Sequence, residues 1–195
     1  HFLPVIRGTR LHKIRAKQVV VATGSMEQPI VFRGNDVPGV MMGSAAQRLI
    51  RRHAVRPGRR AVVATANGDG YGVALDLLDA GVAVLAVLDL REDPTACPRS
   101  EALRGTGVPV LANHTPWEAW AGPDHRLAGI RISEITGQGA ARPGERILCD
   151  LLCVSVGYTP AAHIACHAGA MLRYDPDLGM LALADCPEGI HPAGS

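Results

Sequence analysis

Apolar and polar positions follow two rhythms along this chain, one of period two and one helical, and the two alternate in a regular order. Residues 10–15 and 17–22 read as short extended segments, the second ("KQVVVA") apolar and β-branched. The stretch 29–40, "PIVFRGNDVPGV", is punctuated by Pro29, Gly34, Pro38 and Gly39 and reads as loop. From Ser44 to Ala54 the rhythm is helical, with Ala45, Leu49 and Ile50 on one face, arginines on the other and Ser44 as the expected N-cap. "VRPGR" breaks that helix before an apolar strand at 60–65. A Gly-containing turn follows, then a helix-length segment closing at Ala80-Gly81, then a second apolar run ending on Asp89. Strand, turn, helix, strand in that order predicts a βαβ unit.

A further helix is expected over 98–105 and a short strand over 108–112. Segments 116–120 and 127–135 alternate as a hairpin around Gly122-Pro123-Asp124. After a loop at 137–145, the stretch 146–157 ("RILCDLLCVSVG") reads as one strand or two abutting ones ending at Gly157. The predicted fold class is therefore α/β, a Rossmann-like parallel sheet with an inserted antiparallel β-meander. No internal repeat or low-complexity segment interrupts it.

Composition agrees with that reading. With 47% hydrophobic and 4% aromatic residues, 22 Gly and 14 Pro, the 195 residues suit an α/β protein with many short loops. A formal net charge of +2 makes no electrostatic case for nucleic acid or an anionic membrane. No apolar stretch approaches the ~20 residues of a membrane span. The basic run Arg48, Arg51, Arg52, Arg56, Arg59, Arg60 reads as a solvated helix face and its exit loop. Five scattered cysteines (Cys97, Cys149, Cys153, Cys166, Cys186) without a C-x-x-C pair suggest reduced thiols and a cytoplasmic location, and they argue against a disulfide reductase mechanism. Cys149 and Cys153 read as buried hydrophobes. His163 and His167 stand i, i+4 but lack further ligands, so no metal site is expected. Trp117 and Trp120 read as packing in the hairpin. The chain opens at His1 without a Met and is read as an internal piece of a longer polypeptide.

The candidate chemistry lies in the turn of the βαβ unit. A dinucleotide site needs a side-chain-free turn, so that backbone N–H groups and the helix N-terminus reach the pyrophosphate, and an acid after the second strand for the ribose hydroxyls. Counted back from Gly81, the three positions of G-x-G-x-x-G fall on Thr65, Asn67 and Gly70, while Gly68 and Gly72 lie out of phase. Asn tolerates a left-handed backbone less readily than Gly, and a β-branched Thr resists it. Asp69 adds a negative charge beside the pyrophosphate position unless it points away. Asp89, 19 residues beyond Gly70, stands where the ribose acid belongs. Arg91 is a minor candidate for a 2′-phosphate. Two further apolar strands run into glycine at Thr23-Gly24 and at Gly157, bracketing the unit as in flavin- and pyridine-nucleotide oxidoreductases with two nested dinucleotide-binding domains.

Ala22-Thr23-Gly24, Glu27-x-Pro29, the run Asn35-Asp36-x-Pro38-Gly39-Val40-Met41 with the helix after it, and "VRPGRRAVV" (55–63) together resemble the α subunit of heterotetrameric sarcosine oxidase. They also resemble the related large subunits of opine-type and cyanide-forming amine dehydrogenases. The degenerate inner turn is similar too. "GIHPAGS" (189–195) resembles the start of a late motif, usually Ala-Gly-Asp, with Ser195 in place of the acid.

The resemblance implies a remnant of an outer FAD/NAD-binding domain at 1–40, an inner NAD(P)-binding-like domain at 41–157 and a return segment at 158–195. It implies NAD or FAD held chiefly at an outer site in a segment preceding these residues, with Thr23, Gly24 and Gly194 lining that site from its far side. The cofactor-binding set is thus Thr23, Gly24, Thr65, Asn67, Gly68, Gly70, Asp89, Gly157 and Gly194. No proton-transferring residue is assigned. The implied activity is oxidation of a secondary amine or amino acid by a hetero-oligomer, with other subunits as partners. The alternatives are a non-catalytic interaction domain with an empty nucleotide fold, self-association of the isolated chain, and a stand-alone NAD(P)H-dependent reductase.

Overall fold

A tight hairpin opens the chain, β1 (Phe2–Arg7) against β2 (Arg10–Arg15), with Gly8 at its tip. Short strands β3 (Val19–Val21), β4 (Ser25–Glu27) and β5 (Val40–Met42) lead into helix α1 (Gly43–His53). Strand β6 (Arg60–Thr65), helix α2 (Asp69–Asp79), strand β7 (Ala83–Asp89), helix α3 (Pro98–Arg104) and strand β8 (Val110–Ala112) follow. Then come β9 (His114–Ala121), β10 (Leu127–Ile135), β11 (Ala141–Ile147) and β12 (Leu151–Ser155). The chain closes with β13 (Tyr158–Pro160), α4 (His163–His167), β14 (Met171–Asp175), β15 (Met180–Ala184) and β16 (Ile190–Pro192). The computed structural model describes residues 2–94, 96–137, 141–176 and 179–194. It divides into two compact units, residues 27–157 and the two flanking segments together.

The unit 27–157 is a five-stranded parallel sheet in the order β5-β12-β6-β7-β8. Successive strand residues point to opposite faces, so each strand feeds two cores. Ala61, Val63, Leu151 and Cys153 pack with Ala46, Tyr71, Val73, Ala74, Leu77 and Leu103 of the three helices. Val62, Ala64, Leu152 and Val154 pack with Ala119, Leu127, Ile130 and Ile132 of the antiparallel meander β9-β10-β11. The pairing of β6 with β7 shifts register after Ala61, so Val84 faces the helices while Leu85 and Ala86 both face the meander. One extra residue in a strand has this effect on side-chain parity. The fold is the expected α/β class with the meander on the opposite face from the helices.

The loop 29–39 is pinned to the meander. Ala119 N–H donates to the Arg33 carbonyl and Leu127 N–H to the Pro38 carbonyl, both at 2.8 Å. Ile30, Phe32 and Val37 pack into the same core.

Two expectations need correction, and one open alternative is decided. Ser44 is not the N-cap of α1; it lies inside the first turn, and its backbone N–H donates to Glu27 Oε2 at 3.0 Å. A carboxylate 17 residues upstream takes the capping role because a negative charge meets both the orphan N–H and the positive end of the helix. The loop expected at 137–145 yields β11 from Ala141 onward, paired to β10, while residues 138–140 lie outside the described set. The run 146–157 resolves into two strands, separated where the Asp150 carboxylate accepts the Arg59 and Arg60 backbone N–H groups at 2.9 and 2.8 Å. Helix α2 closes as expected, with Gly81 at φ +75° and Val82 N–H returning to the Leu77 carbonyl.

The second unit has a small core of Val21, Ala165, Ala170 and Ile190. In it β3 pairs in parallel with β16, and β14 pairs antiparallel with β15. Among the described residues no helix is long and apolar enough to cross a membrane.

Candidate functional site

At the β6–α2 turn, where the site is expected, the Ala66, Asn67 and Asp69 N–H groups are met from within the unit. Thr65 ends β6 fully buried, its hydroxyl 2.9 Å from the carbonyls of Ser155 and Asn67, one of which takes its proton. The same oxygen accepts the Asn67 N–H at 3.2 Å. Asn67 Oδ1 in turn accepts the Asp69 N–H at 2.9 Å, an Asx turn leading into α2, whose N-cap is Gly68. No residue between 55 and 80 has a positive φ, and Gly68 sits at φ −73°, ψ −15°. A right-handed turn makes no demand for glycine, which is why Thr and Asn are accommodated at the first two positions of the motif.

Gly70 is required for a different reason. A Cβ there would lie 2.3 Å from both Cβ and Oγ1 of Thr65, so the helix approaches the strand only because residue 70 has no side chain. Asp69, the first residue of α2, pairs with Arg99 Nη1 at 2.5 Å. The Cys97 thiol caps α3 nearby, and the Ser100 backbone N–H leads a set of donors that lowers its pKa.

Asp89 ends β7 with no solvent exposure. Its Oδ2 accepts the Tyr71 hydroxyl at 2.6 Å and Arg91 Nη2 at 2.7 Å. Its Oδ1 accepts Arg91 Nε at 2.9 Å and the Arg91 backbone N–H at 3.0 Å. Four donors, two of them the fork of one guanidinium, satisfy the carboxylate. Burial first, and then the hydrogen bond to Asp89, push the Tyr71 hydroxyl up to about 12. The hydrogen bond to Asp89 raises the Arg91 guanidinium.

Thr65, Asn67, Gly68, Gly70 and Asp89 therefore gather at one end of the parallel sheet, with Tyr71 and Arg91 completing the cluster. Gly157 follows β12 in the same unit at φ +150°, its carbonyl accepting the Gln28 N–H at 2.9 Å. Thr23, Gly24 and Gly194 belong to the other unit. There the Thr23 hydroxyl donates to the Ala161 carbonyl at 2.6 Å, and Gly24 and Gly194 take φ of +69° and +92°. Ser195 lies outside the described residues. His163 and His167 are both exposed on α4, and no three His, Cys, Asp or Glu side chains among the described residues converge on a metal position.

Sequence reasoning did not find Tyr71 as the partner of Asp89, Arg99 as the partner of Asp69, or Glu27 as a cap. Each pairing spans 17 to 30 residues, and no local pattern marks it. Arg91 was visible beside Asp89, but as a phosphate ligand and not as its counter-ion.

No family model matches the chain. It is 32% identical over 186 residues to the alpha subunit of sarcosine oxidase from Corynebacterium sp. (strain U-96), covering 95% of this chain and 19% of that protein. It is 36% identical over 174 residues to an opine oxidase subunit of Agrobacterium tumefaciens (strain Ach5), covering 84% of this chain and 35% of that protein. The fold is similar to that of an FAD-dependent pyridine nucleotide-disulphide oxidoreductase from Desulfovibrio vulgaris, with a TM-score of 0.65 at 20% identity over the whole chain and half of that structure. The homologues are thus sarcosine and opine oxidase subunits, and the chain spans about a fifth of the length of the sarcosine oxidase relatives it matches.

Proposed function

We propose that this chain is the inner nucleotide-like domain of an FAD/NAD-dependent oxidoreductase subunit similar to sarcosine oxidase α, and that it serves as scaffold. The parent enzyme oxidises a secondary amine or amino acid in the cytoplasm, with other subunits as partners. In this reading the dinucleotide sits at an outer site to which Thr23, Gly24 and Gly194 contribute, and the β6–α2 turn holds no pyrophosphate. The single observation that carries it is the internal satisfaction of Asp89, whose oxygens are filled by Tyr71 and Arg91 where a ribose would need them free. The loss of turn donors supports it, since Asn67 and Asp69 N–H groups point at side chains of the turn itself. The groups present do not fit a dinucleotide in this turn, and no chemical step is assigned to it.

The test is a calorimetric titration of NAD⁺ into the 195-residue chain, with folding checked by a cooperative urea transition. No saturable heat is expected up to about 1 mM ligand. Saturable binding that Asp89→Asn weakens would overturn the scaffold reading.

A further inference from the structure

Helix α1 carries no acidic residue, and its polar face is built from Gln47, Arg48, Arg51 and Arg52. Together with Ser44 and with Arg99 of α3, these residues line an open cleft of about 540 Å³. Arg51 is held by Asp76 of α2, and Arg99 by Asp69 of α2. Gln47 donates to the same Asp76 at 2.7 Å. Among the described residues neither Arg48 nor Arg52 has an acidic partner. Two of the four arginines in the cleft are thus neutralised and fixed in place, and two, one helical turn apart, are left with their charge uncompensated.

We propose that this cleft docks an acidic segment of a partner protein chain, with Arg48 and Arg52 pairing to Asp or Glu carboxylates. The inference rests on the proposed role as a domain within a hetero-oligomeric oxidoreductase. Three features select this occupant. The cationic groups are all arginine, whose planar fork matches a carboxylate with two parallel hydrogen bonds, and no lysine takes part. The cleft is open and its arginines are exposed, whereas a small ligand binds where 70–90% of its surface is enclosed. The neutralised pair Arg51–Asp76 keeps the floor from repelling the helix it lies on and orients the wall beside it. Arg51 and Arg52 also complement the C-terminal end of the α1 dipole, but Arg48 stands at the middle of the helix, outside its last turn, where the dipole gives it no support.

The test uses the 195-residue chain and a fluorescein-labelled octaglutamate peptide, followed by anisotropy at low salt and again at physiological salt. Saturable binding that weakens with salt is expected, and Arg48→Gln with Arg52→Gln should raise Kd roughly tenfold. Arg126→Gln, in the β9–β10 turn, should leave Kd unchanged and controls for net charge. Equal weakening by Arg126→Gln, or no binding at low salt, overturns the proposal. Tighter binding of inorganic pyrophosphate than of the peptide, lost in the same double variant, also overturns it by making the cleft a small-anion site. Failure here leaves the NAD⁺ titration as it stands, and NAD⁺ binding in the β6–α2 turn leaves the peptide result as it stands, so the two readings fail separately.

Discussion

Gly70 is the one position of the G-x-G-x-x-G pattern that keeps its glycine, and the structure assigns that glycine to packing. Gly70→Ala would place Cβ 2.3 Å from Thr65 Cβ and Oγ1 and 3.1 Å from Cγ2, where carbon atoms prefer about 3.5–4.0 Å. A displacement of more than about 1 Å is needed, and neither partner yields easily. Moving α2 off the sheet loosens Tyr71, Val73, Ala74 and Leu77, all buried against it. Moving Thr65 breaks its hydroxyl contact with the Ser155 carbonyl. Overpacking of this kind costs about 1–3 kcal/mol, less up to about 1 kcal/mol that Ala gains over Gly within a helix. The net expectation is a loss of about 1–2 kcal/mol, read from urea midpoints. In a Thr65→Gly background the clash has no partner, so adding Gly70→Ala should be neutral or slightly stabilising. The coupling energy between the two substitutions should then be about 1–3 kcal/mol in the relieving direction. An unchanged midpoint for Gly70→Ala alone, or strict additivity in the double variant, would refute the packing argument.

Three more outcomes are expected. Tyr71 has a folded-state pKa of about 12 against roughly 10 in the unfolded chain, so its contribution is complete below about pH 10 and is lost as pH rises towards 12, at up to about 1.4 kcal/mol per unit. The stability gap between wild type and Tyr71→Phe should therefore shrink across that window in urea titrations, and a constant gap would contradict it. Arg91→Ala strips the fork from a buried carboxylate and should cost about 3 kcal/mol, with Arg91→Lys recovering only part, as measured by chemical denaturation. Cys97, whose thiol pKa is lowered, should be alkylated by iodoacetamide at about pH 8 in the folded chain. Cys149 and Cys153, pushed up to about 12 by burial, should react only after unfolding, and equal labelling by mass spectrometry would count against the buried placement.

Local patterns carried the frame of this protein. Strand β6, the close of α2 at Gly81, the end of β7 at Asp89 and the β9–β10 hairpin were all legible, because periodicity and turn chemistry act between residues a few positions apart. The resemblance to sarcosine oxidase α subunits was legible too, carried by short motifs spread over most of the chain. What the site residues do was not. Asp89 could be placed at a strand end from sequence, but whether it faces a ribose or an arginine depends on Tyr71 lying under it, and that follows from how α2 packs on the sheet. The same holds for Glu27, which reaches α1 across the loop 29–39, and for the arginines of α1, which looked uniformly solvated. Only the placement of α2 and α3 beside them neutralises Arg51 and Arg99 and leaves Arg48 and Arg52 without partners. Secondary structure answers to neighbours in sequence. The role of a charged side chain answers to its neighbours in space, where burial decides whether its charge must be satisfied within the fold or stays available to a partner.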